Sequence, residues 1–234
     1  MGPESGAIDK AIEEVAKSGL DIEDKGNIKD YLGVNIEEKD NGKINLTQPH
    51  IIYIIINDVQ LPKNTAPRQT PAVSNKILWR NAAAPPFDKH FNYRAVLGKI
   101  KFLEKSTRTD ISYATHQCAH FSQDPRSSHG DTIIHLAKYL KAKRTQGIAL
   151  DPKGNKSFEV YTESNFCGNW HCPTAGDDPR TAKSRTGYAI LDTSCPIIWH
   201  INLNTYIALS MEEAEYIALS QSLRDAIPMM QLLR

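Results

Sequence analysis

The spacing of apolar residues changes kind near residue 155, and that change narrows the folds open to this chain. Upstream, Tyr93, Val96, Leu97, Ile100 and Leu103 recur at helical steps and predict one amphipathic stripe. Ile111, Ala114, Cys118 and Phe121 make a second, and Ile133, Ile134, Ala137 and Leu140 a third, opening near Ser127-Ser128. Downstream, SFEVYTE, TGYAILDT and PIIWHINL are rich in β-branched and aromatic residues and predict strands. Helices and strands in separate runs predict an α+β fold.

The remaining segments fill in around this division. Ile8, Ala11, Ile12, Val15 and Ala16 predict a first helix with Gly19 as its stop. Leu32, Val34 and Ile36 alternate, Lys39-Asp40-Asn41-Gly42 turns the chain, and Ile44 and Leu46 alternate again, which predicts a β-hairpin. The run IIYIIINDVQL is open to both readings: its β-branched content favours strand, and its position after Thr47 and Pro49 favours the helix expected here. Pro62, Pro67, Pro71, Pro85 and Pro86 punctuate an irregular connector. The chain closes with SMEEAEYIALSQSLRDAI, capped by Ser210 with Glu213 three residues on. Ala214, Ile217, Ala218 and Leu223 give its apolar face, and Pro228 is expected to interrupt it.

Composition excludes several classes. With 28 basic and 27 acidic residues the net charge is +1, which rules out a uniformly basic nucleic-acid binder but not local basic patches. No apolar run reaches the roughly 18 residues of a membrane span. MGPESGAIDKAIEEV lacks the apolar core of a secretory signal, and four cysteines are too few for a disulfide scaffold. An intracellular location, cytoplasmic or nuclear, is the expectation.

Glu163 in the first downstream strand and Glu215 in the last helix are the candidate chemical pair. A strand carboxylate and a helix carboxylate can converge on magnesium, which takes oxygen ligands, and two such ions clamp a phosphodiester. Cys167, His171 and Cys172, or His116 with His120, lack the ligand count and spacing of a zinc site. Ser184 with the scattered histidines has no G-x-S-x-G elbow, and Trp199 in an apolar strand reads as core. Lys138, Lys141, Lys143 and Arg144, with Arg180, Lys183 and Arg185, read either as solvated faces or as contacts tracking phosphates.

Four blocks in order carry a family resemblance: Tyr161-Thr162-Glu163-Ser164-Asn165-Phe166-Cys167-Gly168, Ser184-Arg185-Thr186-Gly187-Tyr188, Ile197-Ile198-Trp199-His200, and Ser210-Met211-Glu212-Glu213-Ala214-Glu215-Tyr216-Ile217-Ala218. They resemble the Y-S-D-A-D-W-x-G, S-T-S-G-Y, I-S-W-K-S-K-K-Q and S-x-x-E-A-E-Y-x-A blocks of the ribonuclease H domain in copia-type LTR retrotransposon Pol polyproteins. Upstream, Tyr93-Arg94-Ala95-Val96-Leu97-Gly98 with Thr107-Arg108-Thr109-Asp110-Ile111 is similar to the family's Y-R-x-x-x-G and T-R-P-D-I, and Tyr139-Leu140-Lys141 with Gly147 to its Y-L-K-x-T…G. Asp30-Tyr31-Leu32-Gly33-Val34 and Leu46-Thr47-Gln48 are similar to the end of its reverse transcriptase domain.

The resemblance covers the chain from about residue 8 onward. It implies a polymerase palm end with a hairpin over 1–61, a Pro-rich linker over 62–90, helical thumb or connection over 91–150, and over 155–234 an incomplete ribonuclease H-like fold of three antiparallel strands plus one helix. It implies Mg²⁺ on Glu163 and Glu215, with an RNA–DNA hybrid, RNA or DNA, and other Pol segments as partners. The departures bear on activity. No Y-x-D-D polymerase metal motif occurs. The family's first catalytic Asp falls on Glu163, one methylene or about 1.5 Å longer, and such a displacement can cost on the order of 100-fold. Its neighbouring Asp falls on Asn165, its Q after the tryptophan block has no match, and its D-N-x-x-A segment would lie past Arg234. The chain alone is expected to be inactive, with an exposed or awkwardly covered edge on the strand around Val160. The competing reading is a non-enzymatic module binding nucleic acid or a partner protein.

Overall fold

The computed structural model describes residues 5–19, 28–40, 42–73, 77–80, 82–87, 90–151, 157–176 and 178–233. Two antiparallel sheets and six α-helices are present among these residues, an α+β arrangement. Helix α1 (Ser5–Lys17) ends where Gly19 takes φ +84, a left-handed stop that costs glycine little.

The first sheet runs in the order β1 (Asp30–Tyr31), β2 (Val34–Glu38), β3 (Ile44–Thr47), β4 (Ile148–Leu150). The expected hairpin is β2–β3, with Ile36 opposite Leu46 and the Gly42 N–H closing on the Lys39 carbonyl at 2.7 Å; Asn41 of its turn lies outside the described residues. Leu32 corrects the expected alternation. It sits exposed in the β1–β2 turn at φ +52 beside Gly33 at φ +78, because Tyr31 and Val34 pair directly and leave only two residues to reverse the chain. Strand β4 pairs Ile148 with Leu46, so the stretch after the last helix of the core returns to the hairpin. Gly147 permits that approach: a Cβ there would lie 1.9 Å from the Leu46 carbonyl oxygen.

Four helices build the main core: α2 (Pro49–Asp58), α3 (Tyr93–Ser106), α4 (Ser112–Ala119) and α5 (Ser127–Ala142). The ambiguous IIYIIINDVQL is helical through Asp58, and it buries Ile52 and Ile55 against α3 and α5. All five residues of the α3 stripe are buried, as are Ile111, Ala114, Cys118 and Phe121. The Pro-rich stretch adds Leu78 to the same cluster, and Phe91 just after it joins too. A 3₁₀ turn, Thr109–Ile111, leads into α4, and Arg108 before it is only 1% exposed. Its guanidinium holds both oxygens of Asp110 at 2.8 Å, donates to the Lys143 carbonyl at 3.0 Å and lies over the Tyr139 ring. Burial works against the Asp110 charge, yet the hydrogen bonds from Arg108 and Tyr139 prevail and hold its pKa below the usual carboxylate range.

The second sheet is β5 (Phe158–Asn165), β6 (Arg185–Asp192), β7 (Cys195–Leu203), all antiparallel, with a register shift between Ile190 and Leu191. Helix α6 (Met211–Leu232) packs across β5 and β6. Its buried residues, Ala214, Ala218, Ser222 and Ala226, are small and let the helix lie close to the sheet. Tyr188 of β6 donates to Asp225 of α6 and fixes the helix along the strands; burial, then this bond, pushes the phenol up to about 12. Trp199 faces the other way, and its indole N–H donates to the Glu104 carbonyl at 3.1 Å, tying the sheet to α3.

Pro228 does not end α6, contrary to the sequence expectation. The carbonyl it deprives belongs to Arg224, and both residues are exposed, so water can take the place of the lost bond. Among the described residues no helix is long and apolar enough to cross a membrane.

Candidate functional site

Among the described residues strand β5 is an edge that pairs only with β6, with Glu163 opposite Gly187 and Ser164 opposite Thr186. Glu163 is exposed there. Glu215 stands in the first turns of α6, which is capped at Ser210 by the Glu213 N–H at 3.1 Å. The Glu213 carboxylate reaches past the cap to the Leu209 N–H at 2.7 Å. A carboxylate near this helix start is favoured by the backbone dipoles. The Glu215 oxygens accept the Ser164 N–H at 3.1 and 3.2 Å. Glu163, level with Gly187 and Ile201, projects from the opposite face of the sheet, the face of Trp199, so the structure brings Glu215 to the strand backbone beside Glu163 and not to its carboxylate.

The donor set does not fit a pair of magnesium ions. Among the described residues no three of His, Cys, Asp and Glu come together. The row across the sheet at this level is Ser164, Thr186 and Asn202, hydroxyls and an amide rather than a third carboxylate. Thr162 Oγ1, Ser164 Oγ and Asn202 Oδ1 are buried without a partner in the chain, and both Glu215 oxygens are already directed at a backbone N–H. Magnesium takes its protein ligands from carboxylates, and among the described residues no further one joins Glu163 or Glu215.

The basic residues divide by environment. Lys143 and Arg144 are exposed at the end of α5, and Lys138 is half-buried on the same helix. Lys141 donates to the carbonyls of Pro62 and Lys63, Lys183 to that of Thr205, and Arg180 is paired with Asp178. Arg185 is 4% exposed, its Nη2 donating to His120 Nε2 at 3.3 Å and its guanidinium over Tyr113. It braces β6 against α4 and offers no face to solvent.

His116 on α4 and His120 just past its end are part-buried. Burial first, then the nearby Lys105 and Arg185 charges, pushes His116 down to about 3; burial, then Arg185 and Arg180, pushes His120 down to about 4. The Cys167 thiol donates to the Ala182 carbonyl, His171 stacks on Trp79 at 4.6 Å, and Cys172 is exposed, so these three do not converge. Sequence reasoning missed Asp225 and the Ser164 N–H. No local pattern marks either one, since each acquires its role only when α6 lies across the sheet.

This chain is similar to several known proteins, three of which follow. The Pol polyprotein of transposon TNT 1-94 from Nicotiana tabacum is 26% identical over 234 residues, covering 97% of this chain and 17% of its own length. A putative transposon Ty5-1 protein from Saccharomyces cerevisiae is 26% identical, covering 95% of this chain and 69% of its own length. A secreted RxLR effector protein from Plasmopara viticola is 26% identical over 59% of this chain and 92% of its own. No family model and no solved structure matches. The chain therefore spans about a sixth of the tobacco polyprotein and about two thirds of the yeast protein. These likenesses along nearly the whole chain support a protein derived from a retrotransposon Pol polyprotein.

Proposed function

We propose that this chain is a fragment of a copia-type Pol polyprotein running from the end of the reverse transcriptase palm, through thumb or connection helices, into the front of a ribonuclease H-like unit. Its ancestral work is RNA-directed DNA synthesis coupled to hydrolysis of RNA in RNA–DNA hybrids, and the chain alone carries out neither. Its setting is intracellular, cytoplasmic or nuclear. The observation supporting the ribonuclease H reading is the meeting of Glu215 with the strand residue beside Glu163, as the order of the sequence blocks leads one to expect. The observation supporting inactivity is that, among the described residues, no third carboxylate joins Glu163 and Glu215. A cleavage assay on a labelled RNA–DNA hybrid in magnesium or manganese is expected to give no product. Cleavage that disappears in Glu215→Gln would overturn the inactive reading.

A second reading is a non-enzymatic module that binds nucleic acid or a partner protein, including other Pol segments. It is favoured by Lys143 and Arg144, exposed together where α5 ends. Titrating hybrid, duplex and single-stranded probes at two salt concentrations separates the readings. Binding that weakens steeply with salt and is reduced in Lys143→Ala/Arg144→Ala supports it; no binding at low salt removes it.

A further inference from the structure

Helix α6 is apolar on both sides. The inner side lies on the sheet, while Tyr216, Leu219, Leu223, Ile227 and Met230 project outward. Tyr216 is 72% exposed and the other four are 39–50% exposed. Tyr206 extends the patch across a groove of about 660 Å³ that it shares with Tyr216, Ser220 and Arg224. Isolated exposed apolar residues are ordinary, but a continuous stripe of this kind marks a contact surface.

The spacing within the stripe identifies the kind of contact. Its steps are three, four, four and three residues, averaging the 3.5 of a helix–helix seam. The same order reads in both directions from Leu223. A two-fold axis through Leu223 therefore sets Leu223 against its own copy, Leu219 against Ile227, and Tyr216 against Met230, apolar against apolar at every level. A parallel pairing would instead bring Glu212 and Glu213 of both copies together, like charge beside like charge.

The area is that of a weak contact. At roughly 150–200 Å² for a fully exposed large side chain, the stripe with Tyr206 offers roughly 480–640 Å² per copy. A symmetric pair covering all of it would bury roughly 950–1,300 Å², at the boundary between transient and stable protein–protein interfaces. We propose that the outer face of α6 is a self-association surface on which a second copy of this chain docks antiparallel about Leu223. The pairing is reversible, as expected of an interface this small.

Sedimentation velocity of the full chain from about 1 to 300 µM tests this. The expected result is a monomer–dimer equilibrium that Leu223→Glu and, separately, Ile227→Glu each weaken at least tenfold, with circular dichroism unchanged. Both positions are partly exposed, so neither substitution places a charge in the core. In a Cys172→Ser background, Leu223→Cys is expected to cross-link to itself with a short bis-maleimide, and Tyr216→Cys is not, since only an antiparallel pair separates the two 216 positions. A monomer throughout the concentration range overturns the proposal and leaves the stripe to a different partner. So does a dimer indifferent to both charge substitutions, or equal cross-linking at 216 and 223.

Discussion

Replacing Arg108 by methionine tests the account of the core most directly. The guanidinium is 1% exposed and makes three hydrogen bonds of 2.8–3.0 Å, two to Asp110 and one to the Lys143 carbonyl just past α5. Methionine fills part of the volume but leaves the Asp110 carboxylate without its cation and the Lys143 carbonyl without its donor. Removing one member of a buried pair costs about 3–5 kcal/mol, and the lower end applies here because the Asp110 side chain is 25% exposed and keeps its bond from Tyr139. For a chain of this length that corresponds to a fall in Tm of roughly 10 °C. Urea unfolding followed by circular dichroism would measure it. The double variant Arg108→Met/Asp110→Asn is expected to recover part of the loss, because no orphan charge remains. The pH dependence has a definite sign. The folded pKa of Asp110 is depressed, so the stability from this pair is fully present above the unfolded aspartate pKa of about 3.9 and is lost as pH falls through the lower folded value. The gap between wild type and Arg108→Met should therefore narrow in acid. A loss below about 1 kcal/mol, far under the expected range, or a double variant no better than the single, would refute the reasoning.

Two further outcomes follow from groups described above. His116 and His120 are neutral when folded, with pKa values near 3 and 4, whereas unfolded histidine titrates near 6.5. Stability is therefore full above pH ~6.5 and falls as pH drops toward 4, by on the order of 1 kcal/mol for each histidine at pH 5 once solvent screening is allowed for. His116→Gln/His120→Gln should flatten that part of a Tm–pH profile, and an unchanged slope would assign it elsewhere. Pro228→Ala restores a backbone bond to Arg224 inside α6 and is expected to stabilise by about 1–2 kcal/mol in urea unfolding, the helix gain exceeding the entropy regained by the unfolded chain. A destabilised variant would show that α6 depends on the proline.

The helices of the core were legible because each carries its own record. Tyr93, Val96, Leu97, Ile100 and Leu103 fall on one face by spacing alone, and all five are buried. Leu32 was misread because a two-residue turn can hold a leucine at positive φ when the flanking pairs demand it. Pro228 was misread because its penalty assumes a dry helix, and here the affected carbonyl lies outside the packed face. Strand β4 has only three residues and a partner far back in the chain, so no local pattern announces it. At the rim of the second sheet, sequence order named Glu163 and Glu215 but said nothing of the Ser164 N–H between them. Arg185 shows the converse difficulty. A basic residue beside other basic residues looks like a phosphate contact, and its burial depends on where α4 comes to rest.

The pairing of Leu46 with Ile148 closes a loop of about a hundred residues, and closure of such a loop adds little entropy cost beyond that of a shorter one. Everything from α2 to α5 hangs inside it. A protease cut in the exposed stretch around Pro62–Arg68 would therefore not divide the protein. The two pieces would stay clasped through β3–β4 and the shared helical interior, and would migrate as one species until denaturant released them.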